Sequence, residues 1–177
     1  DLTARLASEL QRLKHLVNEY LEYVRPFEPQ KTRFDLVALA REVVRPMEGI
    51  RIESDGVVPV LADESAIRQV LLNLIKNAVE SPGTAGVTIS VVQLAGEVVL
   101  QVHDDGPGLD PSIRSRLFEP FATTKAGGTG LGLAICKQIV EAHGGTISLR
   151  DEQRGTKVEV RLPPASVDEA LRIELAK

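Results

Sequence analysis

The stretch "GGTGLGLAICKQIVEAHGG", residues 127–145, holds six of the chain's fourteen glycines and runs straight into a helical pattern. Glycines ahead of a helix let backbone N–H groups approach an anion at the helix N-terminus, where unpaired donors and the dipole favour negative charge. The alternative is a flexible turn before an ordinary helix. Two familiar phosphate loops fail on spacing. A P-loop needs a lysine and a hydroxyl directly after its last glycine, whereas Lys137 comes five residues after Gly132 and is followed by Gln138. A dinucleotide fingerprint needs G-x-G-x-x-G straight after a strand. Here Gly128, Gly130 and Gly132 follow "FEPFATTKA", and Leu133 stands where the third glycine belongs.

A chain of 177 residues with 43% apolar content can bury one good core, which argues against disorder. Its net charge of −4 argues against a dedicated nucleic-acid or anionic-membrane surface. Cys136 is the single cysteine, so there is neither a disulfide framework nor a multi-cysteine metal site, and a reducing cytoplasm fits best. No signal peptide and no bilayer-length apolar run is present, so any membrane attachment is expected outside this chain. With no tryptophan and 3% aromatics, the core must be aliphatic.

Working outward from the glycines, Leu2, Leu6, Leu10, Leu13, Val17, Tyr20 or Leu21, and Val24 recur every three or four residues, the seam of a helix that packs on other helices. "RPFEP" ends it, because proline cannot continue a helix. Residues 1–25 therefore read as a separate helix that cannot bury its stripe alone, and 26–33 as a linker. Beyond it, "FDLVALAREVV" predicts a helix capped by Asp35, and "DESAIRQVLLNLIKNAVE" a stronger one. "GIRIES", "VVPVLA", "VTISVVQLA", "EVVLQVHD", "TISLRD" and "TKVEVRLP" predict strands, and "PSIRSRLF" a short helix. Strand pairs mixed with helices predict an α+β fold, a two-layer sandwich with a mixed sheet over 34–164. Residues 165–177 are a tail or a terminal helix.

Two further stretches carry chemistry. In "NLIKNAVE", Asn73 and Asn77 lie four apart and share a helix face, where two amides can hold a hydrated cation or simply be solvated. In "VVLQVHDDGPGLD", alternation puts Leu100, Val102 and Asp104 on one strand face. A carboxylate ending an apolar face is costly unless bonded, and an adenine amino group would satisfy it. The other reading is a turn built by Asp104 and Asp105 with Gly106, Pro107 and Gly108.

Taken in order, "NLIKNAVE", "DDGPG", "LFEPF" and "GGTGLGL" resemble the N, G1, F and G2 boxes of sensor histidine kinases, with "HGG" and "GTKVEVRLP" as that family's closing pattern. The resemblance spans roughly residues 32–164. "LKHLVNEYLEYVRP" is similar to the end of the second helix of the family's dimerisation hairpin, and "NAVES", with Glu80 where other branches carry lysine, is similar to the nitrogen-regulation type. The resemblance implies the GHKL ATP-binding fold shared in outline with gyrase, Hsp90 and MutL, with ATP and Mg²⁺ as cofactors. It implies that Asp104 accepts the adenine amino proton while Gly106 and Gly108 let the backbone approach the base. Asn77 would hold Mg²⁺ and Asn73 would line the same catalytic end. Gly128, Thr129, Gly130, Leu131 and Gly132 would form the lid hinge and phosphate-facing helix start, and Thr156 would hold a water near the adenine. Lys125 either meets the γ-phosphate or is a solvated loop lysine. Phe118 and Phe121 would anchor the lid in the core.

The resemblance further implies a response-regulator receiver domain as partner and homodimerisation through the hairpin. Its chemistry needs a nucleophilic imidazole with an acidic neighbour. His143 reads as a helix-end residue complementing the dipole, His103 lies on the strand face opposite Asp104, and "HLVNEY" gives His15 no adjacent carboxylate. No histidine here is therefore expected to be the acceptor, and the chain is expected to be a fragment of a longer kinase. The competing functions are a hydrolysing ATPase clamp and a non-enzymatic ATP-binding regulator. Clamps carry a water-activating glutamate at the place of Asn73, and an amide cannot act as a base.

Overall fold

The computed structural model describes residues 2–125, 128–150, 152 and 154–165. In chain order its elements are α1 (Leu2–Val24), β1 (Thr32–Asp35), α2 (Leu36–Val44), β2 (Ile50–Ser54), β3 (Pro59–Ala62), α3 (Glu64–Val79), β4 (Val87–Leu94), β5 (Glu97–Asp104), α4 (Pro111–Arg114), α5 (Gly132–Ala142), β6 (Thr146–Arg150) and β7 (Thr156–Leu162). Five strands form one mixed sheet in the order β2-β4-β5-β7-β6, with β2 and β4 parallel and the other pairs antiparallel. Helix α2 packs on β2 and β4, α3 on β4 and β5, and α5 on β6 and β7, which gives the expected α+β two-layer arrangement. The core between the layers is aliphatic, with Leu36, Ile67, Leu71, Ile89, Leu100 and Leu131 all at most 1% exposed.

Two elements differ from the sequence expectation. The segment read as linker ends in a strand, because Thr32–Asp35 pairs antiparallel with β3 as a separate two-stranded sheet. The eight-residue helix expected over "PSIRSRLF" is a single turn, Pro111–Arg114, capped by Asp110, whose Oδ1 accepts the Ser112 N–H at 2.8 Å. Of the tail or terminal helix expected over 165–177, residues 166–177 lie outside the described residues. Helix α1 is well formed but buries none of its residues, and Leu2, Leu6, Leu10 and Leu13 stay exposed. No helix among the described residues is long and apolar enough to cross a membrane.

Local caps and one long-range knot hold the layers together. Asp35 caps α2, its Oδ1 accepting the N–H groups of Val37 and Val58 at 3.0 Å each. Asp63 caps α3 through Oδ1, which accepts from Ala66 N at 3.1 Å, while its Oδ2 takes the Gln30 N–H at 2.9 Å. Burial alone would raise the Asp63 pKa, but hydrogen bonds from Ser65, Gln30 and Ala66 outweigh it and hold the carboxyl below its usual range. The Asp63 backbone N–H in turn donates to His143 Nε2 at 2.9 Å, and His143 Nδ1 donates to Ile139 O at 2.7 Å. Because a backbone N–H can only donate, Nε2 must be bare and the ring neutral. His143 therefore does not offer a positive charge to the helix dipole. It is a buried neutral link between the end of α5 and the start of α3.

Burial holds the His143 pKa below its ordinary value near 6.5, outweighing the Ile139 carbonyl and the Asp63 charge, which favour the cation. An unfolded chain takes up this proton near pH 6.5 and the folded one only lower, so the stability contribution is complete above that pH and declines as pH falls below it. Thermal melts between pH 7.5 and 5.5 should show a falling midpoint for the wild type and a flatter profile for His143→Phe. At pH 7.5 that variant should lose about 1–3 kcal/mol by leaving the Asp63 N–H unpaired. Coincident pH profiles would contradict this assignment.

Candidate functional site

Between α3, the end of β5 and the segment leading into α5 lies a cavity of about 490 Å³, within the range of small-molecule pockets. Strand periodicity delivers the first side chain. Val98, Leu100 and Val102 face the helices, and the same face ends in Asp104, which is 4% exposed. Asp104 lines the cavity and its Oδ1 accepts the Gly106 N–H at 3.0 Å. Opposite Asp104 in the β5–β7 register stands Thr156, also on the cavity wall. The turn before Thr156 depends on Gly155, which has φ +81°; a Cβ there would lie 1.7 Å from the Asp104 carbonyl oxygen. Gly155 opens the "GTKVEVRLP" stretch, but its packing role could not be read there, because the atom that excludes a side chain belongs to a distant strand.

Helix α3 delivers the amides. Asn77 lines the cavity and its Oδ1 lies 3.4 Å from Lys125 Nζ. Asn73 lines it too, but its Nδ2 donates to Gly132 O at 3.2 Å and ties α3 to the first turn of α5. Behind this tie the Cys136 thiol is fully buried, and burial pushes its pKa up to about 12, so it is a packing group. No side chain caps α5, and Gly132 and Leu133 of its first turn face the cavity. Such an uncapped start presents backbone N–H donors to an anion.

Gly108, Gly128, Thr129 and Gly130 also line the cavity. Gly130, with φ +69°, packs so tightly that a Cβ would sit 2.5 Å from the Phe121 carbonyl carbon. Two expected residues stand behind the wall instead. Leu131 is fully buried in the core, and Gly106 supports Asp104 through its N–H. Phe118 packs on the core as expected, but Phe121 does not. It is 55% exposed, has φ +65°, and stacks on Tyr20 of α1 at a centroid distance of 6.4 Å.

Sequence reasoning also missed Glu19, Lys76, Ile113 and Leu117 on the wall. Glu19 comes from α1, where its Oε1 lies 3.4 Å from His15 Nε2, so His15 does have a carboxylate one helical turn away. None of the three histidines lines the cavity.

The family model described as histidine kinase-, DNA gyrase B- and HSP90-like ATPase matches residues 62–166. The chain belongs to this ATPase family. Among curated relatives, sensor histidine kinase ZraS of Escherichia coli K12 is 34% identical over 174 residues, 92% of this chain and 37% of that one. The chain spans under two fifths of the length of that relative. Full-length ShkA in complex with AMPPNP superposes with a TM-score of 0.79 at 32% identity, covering 93% of this chain and 38% of ShkA. The nucleotide-free catalytic domain of histidine kinase ThkA gives 0.70 at 34% identity, covering 76% of this chain and 96% of that domain. ThkA in complex with response regulator protein TrrA gives 0.74 at 32% identity, covering 90% of this chain and 49% of that one. The fold and the histidine kinase-type domain implied by the sequence are thus shown, and the chain places Asn73, Asn77, Asp104, Lys125 and Thr156 around one cavity.

Replacing Asp104 by asparagine should weaken ATP and ADP binding by about 10- to 100-fold, the value of one charge-assisted hydrogen bond. Calorimetric titration checks this, and affinities within about twofold of each other would contradict the Asp104 assignment.

Proposed function

We propose that residues 34–164 are the ATP-binding catalytic part of a sensor histidine kinase, and residues 1–25 the second helix of its dimerisation hairpin. The observation that carries the reading is the buried Asp104 carboxylate, in the wall of the same cavity as Asn77, Lys125 and the uncapped start of α5. A buried carboxylate needs a donor, and the adenine amino group supplies one. Asp104 then holds the base, Gly108 leaves room beside it, and Thr156 orders a water there. The backbone donors from Gly128 to Gly132 receive the phosphates.

The donor set fits Mg²⁺, because Asn77 Oδ1 already faces a cation, the Lys125 ammonium. Asn77 would hold the ion. Bound there, Mg²⁺ would supply positive charge against the phosphates. The chain's own part in phosphoryl transfer is positioning and electrostatics, with Lys125 as the mobile positive charge. Asn73 is no base for activating water, and its amide is engaged with Gly132. That favours transfer to a histidine over hydrolysis.

ThkA's complex with TrrA supports a response regulator as the next phosphoryl acceptor. The exposed stripe of α1 supports pairing of two copies through hairpins. We place this segment in the cytoplasm, which the unpaired Cys136 supports.

Incubation with γ-labelled ATP tests the reading. The chain should bind ATP yet form little acid-labile label. A helix carrying a histidine beside a carboxylate, fused ahead of Asp1, should restore that label. Label on the unfused chain that disappears in His15→Gln would move the acceptor to His15. Steady-state phosphate release near about 10 s⁻¹, an ordinary enzyme turnover, would favour an ATPase clamp.

A further inference from the structure

We propose that Glu80 is a positioning residue that holds the lid lysine, Lys125, in the cation position beside Asn77, so that Mg²⁺–nucleotide binds only by displacing it. This rests on the nucleotide-binding reading above and adds a competition at that site. Asn77 and Glu80 lie three residues apart at the end of α3, so an amide oxygen and a carboxylate project from one helix face. The C-terminal end of a helix also favours a positive charge. The group that meets these features is the Lys125 ammonium, 2.8 Å from Glu80 Oε2 and 3.4 Å from Asn77 Oδ1. The chain around it is folded back on itself. Lys125 N donates to Thr123 Oγ1 at 3.1 Å, and Gly128 N donates to Lys125 O at 3.1 Å. The residue whose ammonium reaches Glu80 and Asn77 thus also joins the turn through its backbone, a link that hydrogen exchange probes.

An ammonium and a divalent ion cannot share Asn77 Oδ1, because like charges at such a distance repel. Glu80 biases that competition toward the lysine. Once Lys125 is displaced, the Glu80 carboxylate loses its partner beside an incoming polyanion, a second reason for the protein to prefer the lysine-bound arrangement. Both side chains are partly exposed, 38% for Lys125 and 45% for Glu80, so the bias is modest and screened by salt. It should amount to roughly a two- to fivefold change in affinity.

The test is a double-mutant cycle on the full chain with wild type, Glu80→Gln, Lys125→Met and the double variant. Calorimetry with Mg²⁺–AMPPNP at low and high salt should show Glu80→Gln binding tighter by the stated factor when Lys125 is present. It should make no difference in the Lys125→Met background, and the gain should shrink as salt rises. Hydrogen exchange without nucleotide should show amides of residues 119–125 exchanging faster, and equally so, in both single variants. An equal gain in both backgrounds would mean that Glu80 acts by repelling phosphate directly and would overturn the proposal. Weaker binding by Glu80→Gln, or unchanged exchange, would also overturn it. Failure of the wild type to bind Mg²⁺–AMPPNP would instead remove the nucleotide reading, with the exchange measurement still deciding whether Glu80 holds the lid.

Discussion

Strand β5 is the middle strand of the sheet, and its two-residue side-chain period constrains everything built around it. Burying Val98, Leu100 and Val102 against the helices forces Asp104 onto the same inward face. A one-residue slip would free the carboxylate but turn the apolar face outward. The register is held on both sides, by β4 and β7, and at its end by the Gly155 turn pressed against the Asp104 carbonyl. The packing that stabilises the fold thus places a charged acceptor where water is excluded, and the resulting site gains directionality from a group that the core alone would reject.

Charge elsewhere in the molecule follows the same logic of paired burial. On the sheet face away from the helices, Glu159 is 4% exposed. It accepts from Arg150 Nε at 2.8 Å, Arg161 Nε at 2.7 Å and Gln101 Nε2 at 2.7 Å. Burial would raise its pKa, but these donors outweigh it and hold the carboxyl down at about 2. Asp104 differs in kind. The partner provided within its own loop is one backbone N–H, so it retains capacity for a ligand, whereas Glu159 is spent on structure. At the mouth of the cavity, Lys125 and Glu80 form the exposed counterpart, a weak pair that a doubly charged ion can replace.

Features set by local sequence were legible in advance. The cap at Asp35, the alternation that carries Asp104 inward and the four-residue spacing of Asn73 and Asn77 are short-range patterns whose geometry follows from helix and strand periods. What escaped depends on partners far along the chain. Strand β1 is four residues long and exists because β3 pairs with it. His143 looked like a dipole-capping cation because its partner, the Asp63 N–H, lies 80 residues away. Phe121 looked like a core anchor, but its backbone is wedged against Gly130 and its ring turns to Tyr20. The roles of Gly155 and Glu159 are defined by what tertiary packing brings against them: the Asp104 carbonyl against the one, and Arg150 and Gln101 against the other.

The central claim is that one cavity binds a metal–nucleotide with its base at Asp104 and its metal at Asn77. Paramagnetic broadening tests it most directly, because Mn²⁺ in place of Mg²⁺ erases nuclear signals close to the ion. In a titration of the labelled chain with Mn²⁺–ADP, the Asn77 side-chain amide should vanish first. The Gly106 and Gly108 amides should shift on nucleotide binding while remaining visible for longer. Broadening centred on Gly106 and Gly108, or spread over acidic surface residues with Asn77 untouched, would contradict the account.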